Sequence, residues 1–344
     1  MRLVRAALIL AALAVALVPI PARLVESQYS KGIYPALQSR VTPLTNLSPI
    51  ALVDLAVLAI VICFTVAFAR RLRARGLAAA VLSGAVNMIT LTAFIVLWFF
   101  VLWGVNYRRV PLDEKIDYDK QRITREAAVR LGNYALHEVN GRYATAHRGS
   151  AEGLPLAAAF SAAQQTLGAT RLAAPGIPKR SLLELYFRTA AIDGMTDPFF
   201  LEVILNPDAL PFEHPFVLAH EWAHLAGYAN EGEANFVAWL TCSQGDAMAV
   251  YSGWMAIFEH VVAALPKGDR VTLTSQLEDG PRRDLQEAAA RYARSSPVVR
   301  TAARDVYDSY LRANRVPEGV ESYSTVVQLM LGAGLEDGRR PTLR

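Results

Sequence analysis

Two stretches of this chain carry almost no charge, and they limit what it can become. Residues 50–69 read IALVDLAVLAIVICFTVAFA, and residues 77–103 end in LTAFIVLWFFVLW. Each exceeds eighteen residues, and at 1.5 Å per residue each reaches across a hydrocarbon core of ~30 Å. Asp54 stands near the start of the first run, where it can reach the interface. Trp98 and Trp103 close the second, as interfacial aromatics do. A third apolar run, Leu3 to Ile20, follows Arg2 and Arg5. It reads as a further span over about residues 3–22. The alternative is a cleaved leader with Arg2 and Arg5 as its basic end; the long run and the poor cleavage signal Ile20-Pro21-Ala22 argue for retention. The expectation is a membrane anchor over residues 1–104 with three transmembrane helices, and a globular domain over residues 105–344. The lipid bilayer is then a partner of the chain.

The loop between the second and third runs holds Arg70, Arg71, Arg73 and Arg75, the densest basic cluster. The positive-inside rule places it in the cytoplasm, so the domain after the third run faces the extracytoplasmic side; Arg108 and Arg109 weigh slightly against this. The chain is 53% hydrophobic, and the excess lies in the first 104 residues. A net charge of +4 with no basic stripe speaks against nucleic acid as a partner. Cys63 and Cys242 are the two cysteines, too few and too far apart for a thiolate zinc site or a disulfide framework.

Beyond Asn106 the pattern turns mixed and mostly helical. Residues 122–141 place Ala128, Leu131, Ala135 and Val139 on one stripe of an amphipathic helix. Residues 155–168 and 181–190 read as helices, and FFLEVIL at 199–205 as a strand bounded by Asp197-Pro198 and Asn206-Pro207. A helix from about Phe216 to Leu225 follows, then helices near 231–243, 246–264, 281–294, 297–313 and 320–332. The fold class expected is mainly α with a small β element.

The densest chemistry lies in LAHEWAHLAGYANEGEANF, residues 218–236. His220 and His224, four apart on a helix, share one face and can grip one metal ion. Two imidazoles and a carboxylate suit Zn2+. Glu221, one residue on, does not ligate; it is placed to act as general base on the attacking water and later to protonate the leaving amine. Gly227 is a natural stop for the helix. Asn230 is a poor zinc ligand and a good N-cap for the next helix. Glu233, three residues on, has the capping-box spacing and reaches back to the Asn230 amide. That leaves Glu231 as the third metal ligand, with Glu233 the alternative. Asn235 lies on the same face as Glu231 and can hydrogen-bond a ligand histidine, so Asn235 and Glu233 form the surrounding layer.

Further residues are weighed against ordinary packing. Tyr251 can donate to an oxyanion, although a packed tyrosine is the plainer reading. Tyr228 offers the same two readings with a weaker case. His214 sits in the loop before the helix, His260 among apolar residues, and His137 and His147 on the surface. The strand 199–205 is the candidate edge for pairing with an extended peptide.

The element from Glu231 to Asn235 resembles the E-x-x-A-D element of membrane-bound gluzincin peptidases, in which the Glu binds zinc and the final acid supports it. Here Asn235 replaces that acid and the spacing from His224 is much shorter. Four runs are more closely similar, in order, to a bacterial family, domain of unknown function 3810: SKGIYP from Ser30, LWGVNYRR from Leu102, the stretch from His220 to Phe236, and YSG from Tyr251. The resemblance spans about residues 28–262 and implies a three-span protein of the bacterial inner membrane with a zincin-like (gluzincin) metallopeptidase domain; it supplies no substrate. The expectation is therefore a membrane-anchored zinc metallopeptidase, a hydrolase acting on a peptide or protein substrate that is itself membrane-associated or free. Two alternatives stand beside it: a membrane-anchored binding or assembly protein whose metal site does not turn over, and a zinc amidase acting on a non-peptide amide.

Overall fold

The structure, a computed structural model, describes residues 2–149, 153–317 and 325–344. Its first helix, α1 (Arg2–Leu17), runs along α5 (Leu77–Leu102), with Arg5 donating to Asn87 at 3.1 Å. The prolines at 19 and 21 then break the helix, because each lacks an N–H and disfavours helical backbone in the residue before it. The chain turns through 110° into α2 (Ala22–Leu24), a π-helical segment (Val25–Ile33) and α3 (Tyr34–Thr45). The Arg108 guanidinium donates to the carbonyls of Val15, Ala16 and Val18 and so closes the broken end of α1. The run expected as a span at 3–22 is therefore bent: α1 and the helical segment after it are together apolar enough for a broken span or a re-entrant loop. Sixteen residues reach about 24 Å, short of a bilayer core.

α4 (Leu52–Arg75) and α5 pack as a hairpin about Gly76, and both are long and apolar enough to cross a membrane. Gly76 takes φ +78, the left-handed region that glycine tolerates at a helix stop. Because the hairpin is antiparallel, the start of α4 and the end of α5 emerge on one side, where the globular part begins. α11 (Ala247–Ala264) also passes on length and composition, but half of it is buried inside the globular core.

That core is helical. α6 (Arg125–His147) lies along α11, and α7 (Leu156–Thr166), α9 (His214–Leu225) and α15 (Thr325–Gly332) surround α10 (Glu231–Cys242). Every residue of α10 is buried. The small sheet has the order β1-β3-β2: β1 (Pro178–Lys179) runs parallel to β3 (Glu202–Leu205), and β2 (Gly194–Asp197) runs antiparallel to it. α8 (Glu184–Ala190) connects β1 to β2, and α12 (Lys267–Ser275), α13 (Asp279–Ala293) and α14 (Pro297–Ala313) complete the periphery.

Two expectations change here. The strand expected at 199–205 is only Glu202–Leu205, because the Asp197 carboxylate accepts from the amides of Phe199 and Phe200 and folds that part into a turn. It is also the central strand, so it offers no free edge; β2 does. The helix α12 lies where no element was expected. Residues 320–324 of the last expected helix lie outside the described residues.

Candidate metal centre

α9 begins with Pro215 in its first turn, where the missing N–H costs nothing. It ends in a Schellman turn. Gly227 takes φ +83, its amide donates to the His224 carbonyl, and the Tyr228 amide donates to the Ala223 carbonyl. The turn swings the Tyr228 carbonyl back onto His224 Nδ1 at 2.7 Å. In the neutral ring this contact favours the proton on Nδ1 and leaves the Nε2 lone pair available to a metal. Asn230 then caps α10, its side-chain oxygen accepting from the amides of Gly232 and Glu233 at 2.9 and 3.2 Å. The cap delivers Glu231 at the first position of the buried helix, facing α9.

Nε2 of His220 and Nε2 of His224 lie 3.1 Å apart. Glu231 Oε2 lies 3.2 Å from the first and 3.6 Å from the second. Zinc bonds of about 2.0–2.2 Å in a tetrahedron separate ligand atoms by about 3.3–3.6 Å, so this triangle fits such an ion. Glu231 Oε2 is buried with no hydrogen-bond donor among the described residues, an arrangement that costs free energy unless a charge answers it. Among the described residues, these three form the group of His, Cys, Asp and Glu that could hold a metal. Burial opposes the Glu231 carboxylate, but the two imidazoles outweigh it and hold its pKa well below the usual carboxylate range. Burial likewise opposes the His224 imidazolium, and the Glu231 carboxylate overcomes it, pushing the pKa up to about 9.

Glu221 is buried beside this triangle and points to β2 rather than into it. Its Oε2 accepts from the Thr196 hydroxyl at 2.8 Å, and the same hydroxyl reaches its backbone carbonyl. Burial raises the Glu221 pKa, while the two histidines and the Thr196 hydroxyl pull the other way. Gly194 leaves room for the side chain: a Cβ there would lie 2.6 Å from Glu221 Oε1.

Three expected roles are corrected. Glu233 does not reach back to Asn230. Its Oε1 accepts from the Leu112 amide at 2.6 Å, and Lys115 and Arg109 lie near enough to oppose the rise in pKa that burial imposes. Packing of the 112–115 turn against α10 wins over the local capping box. Asn235 does not make the expected bond to a ligand histidine: its Nδ2 and His220 Nδ1 are both buried without partners among the described residues. Tyr251 is fully buried, but its hydroxyl donates to Asp284 at 2.5 Å and its ring packs on Tyr143, His147 and Phe212. It is a packed tyrosine.

The hydroxyl that does meet the centre belongs to Tyr307 on α14, which donates to Glu231 Oε1. Tyr310, one turn on, stacks against it and packs on Tyr107 and Phe99. Only the tyrosines at 307 and 310, facing inward along an amphipathic helix, signalled this in the sequence. Tyr228 is not at the triangle; its ring lies under the Arg109 guanidinium. His214 opens α9. His260 is held down to about 4 by burial and by His220 nearby. His147 pairs with Asp284 at 3.3 Å. The centre also abuts the end of α5: the Trp103 indole donates to the His224 carbonyl at 2.9 Å, and the two rings are in edge contact.

No curated protein and no solved structure matches the chain. A family profile does, over residues 29–331, which covers most of the 344 residues. The chain belongs to the family described as "Protein of unknown function (DUF3810)".

Proposed function

We propose that this protein is a membrane-anchored, zinc-dependent metallopeptidase with a gluzincin-like centre made of His220, His224 and Glu231. The observation that carries this is the ligand triangle with a buried, non-ligating Glu221 beside it. A purely structural zinc site closes its shell with four protein ligands and has no use for such a base. When bound, zinc supplies Lewis acidity, polarising a carbonyl and lowering the pKa of water towards ~7.

Each side chain then has a task. Glu221, steadied by Thr196, takes the proton of the attacking water and returns it to the leaving amine. The single O–H of Tyr307, which donates to Glu231 Oε1, turns from that carboxylate to the oxyanion as charge develops there. The free edge of β2, next to Glu221, offers backbone groups to an extended peptide. The arginines at 70, 71, 73 and 75, in the last turns of α4, support placing that end of the hairpin in the cytoplasm and the centre on the opposite side.

Purified whole chain is expected to carry about one zinc per molecule and to hydrolyse members of a fluorogenic peptide library. A chelator should abolish the activity and added zinc restore it. In the same assay Tyr307→Phe is expected to lose roughly 10- to 1,000-fold in kcat with zinc retained. A chain without zinc would overturn the proposal. Zinc without hydrolysis of any peptide would favour the binding or the amidase reading.

Gly194→Ala tests the placement of the base. The added methyl group is expected to push Glu221 off line and cost about 100-fold in kcat, with zinc content unchanged. Unaltered turnover would show that the base does not depend on the space at Gly194.

A further inference from the structure

The two segments that flank the start of α4 are laced together. The Ile177 amide donates to Asn46, Ala51 to the Arg180 carbonyl, and the Arg180 amide to the Pro49 carbonyl. The Lys179 ammonium caps the end of α3 through the carbonyls of Thr45 and Ser48. Asp54, in the first turn of α4, accepts from the Ser181 hydroxyl and the Leu182 amide at 3.1 and 2.8 Å. These bonds fix β1 and the approach to α8 at the level where α4 begins.

This fixed collar presents large apolar side chains outward. Leu47 is 82% exposed, Leu182 79% and Leu185 69%, with Leu44, Ile50 and Ile177 exposed beside them. The exposed Leu55 and Leu58 of α4 follow directly. Contiguous exposed apolar residues of this kind mark an interaction surface. Their backbone is locked, so they cannot fold back under the domain. Arg180, also exposed, stands among them, suited to lipid phosphates as basic side chains are at an interface.

We propose that this collar, centred on Leu47, Leu182 and Leu185, inserts into the interfacial layer of the bilayer that α4 crosses. The occupant is lipid because the collar is bonded to the first turn of α4, a helix long and apolar enough to cross a membrane whose Leu55 and Leu58 are exposed just beyond. The globular domain thus sits partly sunk in the membrane surface. This inference does not require the metal centre to turn over.

Site-directed spin labels test it on the whole chain in phosphatidylcholine and phosphatidylglycerol vesicles. Cys63→Ala removes the exposed cysteine, and the buried Cys242 is left in place. Labels go at Leu47→Cys, Leu182→Cys and Leu185→Cys, with Val271→Cys on the polar helix α12 as an exposed reference. The collar labels are expected to gain collisions with oxygen and lose them with a water-soluble nickel chelate, relative to position 271. Nickel accessibility equal to that at 271 for all three would overturn the proposal. Dipolar broadening between labels on separate molecules would overturn it too, by showing a second copy on the surface. Three independent surface positions keep the test open if one variant folds poorly.

Discussion

Replacing Glu221 with glutamine is expected to leave the zinc content of the protein unchanged and to cut kcat by about 100- to 10,000-fold. That is the range lost when a positioned general acid–base is removed. Glutamine keeps the shape, and its amide can still meet the Thr196 hydroxyl, which accepts as well as donates. What it cannot do is take a proton from water and return it. Metal retention follows from geometry: the atoms that converge are Nε2 of two histidines and Oε2 of Glu231, while Glu221 is held towards β2. Neutralising a buried carboxylate also removes a desolvation cost, so Glu221→Gln is expected to unfold at or slightly above the wild-type temperature. Zinc measured by atomic absorption beside single-turnover hydrolysis separates the two effects. Loss of zinc in this variant would place Glu221 among the ligands, and full activity would remove it from the chemistry.

Glu231→Gln has the opposite signature. Zinc affinity is expected to fall by at least about 100-fold, since even partners outside the ligand shell are worth 10- to 100-fold. Two things fail together in that variant. A neutral amide is a poor zinc ligand, and the two histidines lose the carboxylate that balances them in a buried site. Glu233→Gln is the matched control. Its position in α10 is equally buried, but its carboxylate meets the Leu112 amide and the charges of Arg109 and Lys115. It is expected to keep its zinc and lose thermal stability by roughly 1–3 kcal/mol, the cost of weakening a charge-assisted bond. Competition titration against a chromogenic chelator reads the affinities. Zinc retained in Glu231→Gln and lost in Glu233→Gln would reverse the ligand assignment.

What was legible in the sequence was local. Two histidines four apart, a glycine after the helix and an asparagine before the next specify their own geometry within a few residues, and α9, Gly227 and Asn230 take those forms. What was not legible depends on distant parts of the chain. Tyr307 reaches Glu231 across 76 residues, and Thr196 reaches Glu221 across 25. No hydrophobic period reports such meetings. Tyr251 misled because a tyrosine soon after the motif looks available, whereas the packing of α11 on α6 hands its hydroxyl to Asp284 on α13. Glu233 misled for a similar reason: a backbone amide at position 112 outcompeted the one at position 230. Hydropathy located α4 and α5, yet a run of apolar residues could not show that α1 stops at Leu17 or that α11 is enclosed by protein.

The three converging side chains come from one short loop of chain between 220 and 231, closed by the Schellman turn and the Asn230 cap. Bringing such near neighbours together costs little chain entropy, because loop closure grows only with the logarithm of length. Under the proposed function, the ligand set would therefore be complete once these two helices have formed. Tyr307 arrives much later in the chain, and its contact is of high order. If the proposed centre binds zinc and turns over, metal loading and chemical competence would be separate events, because the ligands meet locally whereas Tyr307 arrives from α14.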